Sequence, residues 1–113
     1  MITGMVVDLR PVVCLEVRAP GRPFASVECV IDTGFEGALA LPTELVASLD
    51  LPYLTGICAN LADGTDVSVD AHRAGVLWNG RHMEVAVLAM GHRPLLGSAL
   101  LAGTEVVARF VDH

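Results

Sequence analysis

The chain has 113 residues, 53% of them apolar, and a formal charge of −6 in which every basic residue is an arginine. That length fits one compact domain spanning 1–113, long enough to bury a real core. The acidic balance, with arginines scattered from Arg10 to Arg109 and few aromatics, argues against nucleic-acid binding, and no apolar run approaches the ~20 residues of a membrane span.

The N-terminal stretch from Met1 to Met5 has neither the basic flank nor the apolar core of a secretory signal, so a cytoplasmic location is expected. Cys14, Cys29 and Cys58 are odd in number and lack CxxC spacing, which implies neither a disulfide framework nor a zinc site. All three sit in apolar, strand-like contexts and are expected to be small buried hydrophobes. His72, His82, His92 and His113 show no HxH or HxxxH spacing, so neither a metal nor another cofactor is implied. So apolar a chain of this size is expected to bury part of its surface against another subunit.

Period-two patterning dominates and predicts an all-β fold of short strands. From Val12 to Arg18, Val13, Leu15 and Val17 share one face, while Cys14, Glu16 and Arg18 share the other. Two prolines and a glycine in Ala19-Pro20-Gly21-Arg22-Pro23 force a turn. The strand predicted over Phe24 to Asp32 is apolar on both faces near its end, as expected for entry into the centre of the fold.

Pro42 to Leu49 is the first predicted helix, with Thr43 as its expected cap and Leu45, Val46 and Leu49 as its apolar stripe. Asp63-Gly64 predicts a tight hairpin between Ile57–Leu61 and Thr65–Ala71, with Asp66, Ser68 and Asp70 on a wet face. Asn79-Gly80 predicts a second, between Ala74–Trp78 and His82–Met90. Trp78 is expected to anchor the core or an interface. A helical turn over Ser98–Leu101, ended by Gly103, precedes a final strand predicted over Val106–Val111.

Asp32-Thr33-Gly34 carries the functional reading. It follows the apolar run Val27–Ile31 and precedes a second, Ala38–Leu41. A carboxylate at the end of a buried strand is costly to desolvate unless it is hydrogen-bonded or does chemistry. Its bland counterpart is a turn aspartate that bonds its own backbone. Pro94-Leu95-Leu96-Gly97 comes much later, two bulky apolar residues before a glycine.

These two segments, in this order with the Asp63-Gly64 hairpin between them, resemble retropepsin-like (clan AA) aspartic proteases of the bacterial single-domain type. The resemblance covers roughly residues 8 to 112. It implies a closed β-barrel or folded-sheet domain with one or two short helices, working as a homodimer. Asp32 is then the catalytic residue, Thr33, Gly34, Leu95, Leu96 and Gly97 support the active-site loop, and Ala62, Asp63, Gly64 and Thr65 form a flap over a peptide or unfolded-protein substrate.

Enzymes of this type need two such aspartates, and this chain has one Asp-Thr-Gly, so the resemblance implies a second copy that completes the pair. Phe35 stands where the family usually carries a small residue, and Glu36 where viral members have an aspartate that contacts substrate; both are expected at the substrate site. Ser98 replaces the arginine that pairs with that aspartate. The leading expectation is a homodimeric aspartic endopeptidase. The alternatives are a non-catalytic module of the same fold, kept for dimerisation or peptide binding, and an unrelated small β-barrel.

Overall fold

A computed structural model describes residues 1–60 and 62–111. Leu61, predicted to end a strand, and the last two residues, including His113, lie outside the described residues.

Eight strands and two short helices follow one another as β1 (Met5–Val7), β2 (Arg10–Arg18), β3 (Ala25–Ile31), β4 (Leu39–Leu41), α1 (Thr43–Ser48), β5 (Tyr53–Asn60), β6 (Asp66–Trp78), β7 (Arg81–Ala89), β8 (Leu95–Leu96) and α2 (Ser98–Leu101). The strands form one sheet in the order β1-β2-β3-β8-β4-β7-β6-β5. A further pairing of β2 with β6, which sets Val17 opposite Val76, closes the sheet into a barrel. Closure removes the free edges of the six inner strands, leaving β1 and β5 as the edges. The fold is all-β, as the period-two patterning predicts.

β2 buries Val13, Leu15 and Val17 and turns Cys14 outward, as its alternation requires. With Cys29, Leu39, Leu41, Val76, Val87 and Leu96 these residues fill the barrel, all but Val13 shielded almost completely from water. Each such side chain contributes about 1.5–3 kcal/mol of apolar transfer energy.

The three cysteines do not share the fate expected of them. Only Cys29 is buried, while Cys14 and Cys58 are exposed, because each falls on the outer face of its strand. Burial pushes the Cys29 thiol from its ordinary 9.0 up to about 12, with the nearby Cys14 thiol adding to the shift. Cys29 therefore stays a neutral thiol at pH 8, and only the thiolate attacks an alkylating agent. Native protein treated with iodoacetamide at that pH is expected to gain label on Cys14 and Cys58 within minutes. Cys29 is expected to react only after denaturation, and equal labelling of all three in peptide maps would contradict the packing described.

α1 begins one residue later than predicted, and Thr43 is not its cap. Pro42 occupies that position, and its carbonyl accepts from the Leu45 and Val46 N–H groups. Proline's fixed φ of −55° suits the helix start, so no side-chain cap is needed.

β6 is one continuous strand of 13 residues where two were predicted. Its inward residues switch from the odd set, Val67, Val69 and Ala71, to the even set, Ala74, Val76 and Trp78. The first half pairs with β5 in a projecting hairpin and the second with β2 inside the barrel. One strand thus serves two surroundings, and the switch interrupts the period-two count. Asn79 (φ 51°) and Gly80 (φ 76°) both adopt the left-handed region, as a tight two-residue hairpin turn demands.

The final strand predicted over Val106–Val111 is absent as a strand. Residues 104–111 carry no ladder, and Val106, Val107, Phe110 and Val111 face solvent. An apolar, β-branched run favours an extended chain, but a strand also needs a neighbour to receive its hydrogen bonds, and no strand among the described residues supplies one. Among the described residues no helix is long and apolar enough to cross a membrane.

Candidate active site

β3 delivers Asp32 to the end of the barrel. Its last residues, Val30 and Ile31, pair in parallel with Leu95 and Leu96 of β8. Leu96 is fully buried and Leu95 half-buried, so this pairing fixes the strand end from which the loop 32–38 departs.

Four backbone hydrogen bonds then lace that loop to β8 and the segment after it. Asp32 N–H donates to Leu96 O (2.9 Å), Gly97 N–H to Ala38 O (2.9 Å), Ser98 N–H to Phe35 O (2.8 Å) and Ala99 N–H to Gly37 O (3.3 Å). Leu95, Leu96 and Gly97 are therefore joined to Asp32 in space although more than sixty positions away in sequence.

Asp32 itself is half-buried, so the desolvation that its sequence setting predicts is incomplete within one chain. Its Oδ1 accepts the Gly34 N–H at 3.0 Å. A turn aspartate makes the same bond, and the bond alone does not separate the bland reading from the sharp one. The lacing adds to it, tying the backbone of this loop to β8 and to the residues that follow it. Thr33 is exposed, and its hydroxyl finds no hydrogen-bond partner among the described residues. Glu36 is exposed, while Phe35 and Ser98 are half-buried.

Gly97 is where the loop and the segment come closest. Its φ of −99° suits any residue, yet an alanine Cβ there would collide with the Gly37 carbonyl oxygen. It would also lie 2.7 Å from the Phe35 carbonyl oxygen and 2.6 Å from that residue's ring. Backbone cannot swing aside as a side-chain tip can. Gly97→Ala is expected to lose about 1–3 kcal/mol or more of stability, read as a lower urea midpoint. An unchanged midpoint would mean that the loop has slack which these distances deny.

The predicted flap residues stand apart from this cluster. Ala62, Asp63, Gly64 and Thr65 form the exposed tip of the β5–β6 hairpin, and no hydrogen bond among the described residues links the tip to the Asp32 loop. The tip is ordered by Asp63, whose Oδ1 accepts from Thr65 Oγ1 (2.6 Å) and Thr65 N–H (3.0 Å). These two donors, the hydroxyl first, hold the Asp63 carboxyl below its ordinary range. The carboxylate cap thus survives acidification longer than that of an unbonded aspartate. Gly64, at φ 88°, supplies the left-handed turn residue.

Sequence reasoning missed Gly37 and Ala38, whose carbonyls receive two of the four cross-links. No group of three or more potential metal ligands occurs among the described residues. Asp32 lines neither the groove of about 990 Å³ between the two chain ends nor the hollow of about 350 Å³ beside Arg18 and Phe24.

No protein-family model matches the chain, and no curated protein matches it. Solved structures do. The EIAV protease complexed with the inhibitor HBY-793 superposes with a TM-score of 0.64 at 19% identity, over 93% of this chain and 99% of that one. The simian foamy virus (mac) protease, a solution structure, gives a TM-score of 0.52 at 19% identity, over 78% of this chain and 90% of that one. With β3 leading into Asp32 and β8 laced behind it, the fold of this chain is that of the retropepsin-like aspartic proteases.

Proposed function

We propose that the protein is a homodimeric aspartic endopeptidase in which Asp32 from each of two chains forms the catalytic pair. The observation that carries this reading is the cross-linked loop. It holds one carboxylate at a strand end, half open to solvent, with its backbone fixed on both sides. One chain has one Asp-Thr-Gly, so a two-fold partner is the economical source of the second.

Two carboxylates held about 3 Å apart share one proton, because both cannot ionise comfortably. The ionised member takes a proton from a water between them, and that water attacks the scissile carbonyl carbon. The protonated member donates to the developing oxyanion. Collapse of the tetrahedral intermediate breaks the C–N bond, and the leaving nitrogen takes a proton from the pair. The titration belongs to the pair and not to either chain. Gly34 N–H orients one oxygen of each carboxylate; the exposed Thr33 hydroxyl is free to bond the partner loop. The β5–β6 hairpin, paired to the sheet along one side only, serves as the flap under which an extended peptide lies.

The exposed apolar residues support a second copy as partner. Met5, Leu9, Val107, Phe110 and Val111 are each more than half exposed and come from the two chain ends. They lie on or beside the edge strand β1 and a groove that reaches Trp78, whose buried Nε1 has no hydrogen-bond partner among the described residues.

The test is cleavage of an unfolded protein across about pH 4 to 7, with and without a statine-type compound that mimics the tetrahedral intermediate. Cleavage blocked by that compound is the expected result. If nothing is cut while the dimer forms, the alternative holds, and the fold serves as a peptide-binding or dimerisation module.

A further inference from the structure

The Asp32 loop closes around an aromatic ring. An alanine Cβ at Gly37 would lie 2.6, 2.9 and 3.3 Å from the Cζ, Cε1 and Cε2 atoms of Phe35, and these are its three nearest neighbours. On the other side, a Cβ at Gly97 would lie 2.6 Å from Cδ2 of the same ring. Neither glycine has a positive φ, so neither is required by backbone conformation. Gly97 is required by space, because backbone oxygens lie against it, whereas at Gly37 only side-chain atoms stand in the way. At Gly37 the nearest claimant to that space is the Phe35 ring.

The ring's backbone is held as well. Phe35 N–H donates to the Asp32 carbonyl (3.2 Å), and Phe35 O accepts from Ser98 N–H (2.8 Å). Phe35 therefore touches both ends of the lacing, in a loop where Gly34 and Gly37 would otherwise leave the chain free to move. We propose that Phe35 is a positioning residue: its ring, seated between Gly37 and Gly97, fixes the loop that carries Asp32 and keeps Gly34 N–H on the Asp32 carboxylate. This rests on reading Asp32 as the catalytic carboxylate. A displacement of about 1 Å at a reacting group costs on the order of 10²-fold in rate, so a small residue at position 35 is felt in turnover before it is felt in binding.

The experiment is a double-mutant cycle of Phe35→Ala and Gly37→Ala, with Phe35→Leu as a milder variant in case the alanine change unfolds the loop. Each single change is expected to lower kcat by about tenfold or more while KM moves by less than about threefold. The pair is expected to be no worse than Phe35→Ala alone, because the new methyl group enters the space the ring has left. Phe35→Leu is expected to retain an intermediate rate.

The Gly34 amide proton provides a readout independent of turnover. Its NMR shift reports the bond to Asp32 Oδ1, and it is expected to move upfield in both single variants. In Val46→Ala, a core change outside the loop that lowers thermal stability, it is expected to stay in place. Additive losses in the cycle, or an unmoved Gly34 resonance in Phe35→Ala, would overturn the proposal. A wild-type protein that cleaves nothing would sink the protease reading by itself. The Gly34 resonance and the coupling in urea midpoints would still decide whether Phe35 holds the loop.

Discussion

Asp32→Asn is expected to abolish peptide cleavage, with a loss on the order of 10³-fold or more, while leaving fold and dimer intact. The amide of asparagine keeps the oxygen that accepts the Gly34 N–H, so the loop retains its internal bond. The lacing uses main-chain groups alone and is not touched. What disappears is the group able to take a proton from water and return it to the leaving nitrogen. Dimerisation is expected to be no weaker, since two amides facing each other escape the repulsion between two carboxylates.

Mixing the chains sharpens the test. If a working site needs one carboxylate from each chain, only wild-type pairs cleave, and activity follows the square of the wild-type fraction. An equal mixture, allowed to exchange subunits, is expected to retain about a quarter of the wild-type rate. A rate near one half would mean that each chain works alone, and the shared-site mechanism would be lost.

The parts of the fold legible in the sequence were those written in local chemistry. β2 and β3 announced themselves through alternation and the Pro-Gly turn between them, and Asn79-Gly80 and Asp63-Gly64 each carried the glycine that a left-handed turn position needs. β1 was not foreseen, because its turn into β2 places Asp8 (φ 48°) and Leu9 (φ 63°) in the left-handed region without a glycine to mark it. β4 and β8 have three and two residues, and they exist through pairing with distant strands, which no short window of sequence contains.

The site divides the same way. Asp32-Thr33-Gly34 could be read directly. The role of Gly37 could not, because its reason is the ring of Phe35 and the approach of Gly97, sixty positions later. Likewise the apolar run Val106–Val111 is genuine, but it describes a surface and not a ladder. That distinction bears directly on assembly.

Val107→Asp is expected to convert the dimer to a monomer at concentrations where wild type is paired, and to remove activity with it. Val107 is 71% exposed in a segment with no strand partner of its own, beside Phe110 and Val111 and across from the edge strand β1. Covering an apolar side chain of this size yields about 1.5–3 kcal/mol, and an isologous contact counts every residue twice. Replacing it by aspartate removes that gain and demands desolvation of a charge at two places in the interface. Together these effects move the dissociation constant by about 10³-fold or more.

Sedimentation read alongside cleavage separates assembly from chemistry. Wild-type specific activity is expected to fall on dilution as pairs come apart. The variant is expected to recover activity only at high concentration, because its Asp32 loop is unaltered and lacks only a partner. Leu54→Asp supplies the control: Leu54 is 48% exposed on β5, away from the chain ends, and its change is expected to leave the sedimentation profile unmoved. A Val107→Asp protein that remained a fully active dimer would place the interface elsewhere. The unpaired apolar segment would then need another explanation than a second copy of the chain.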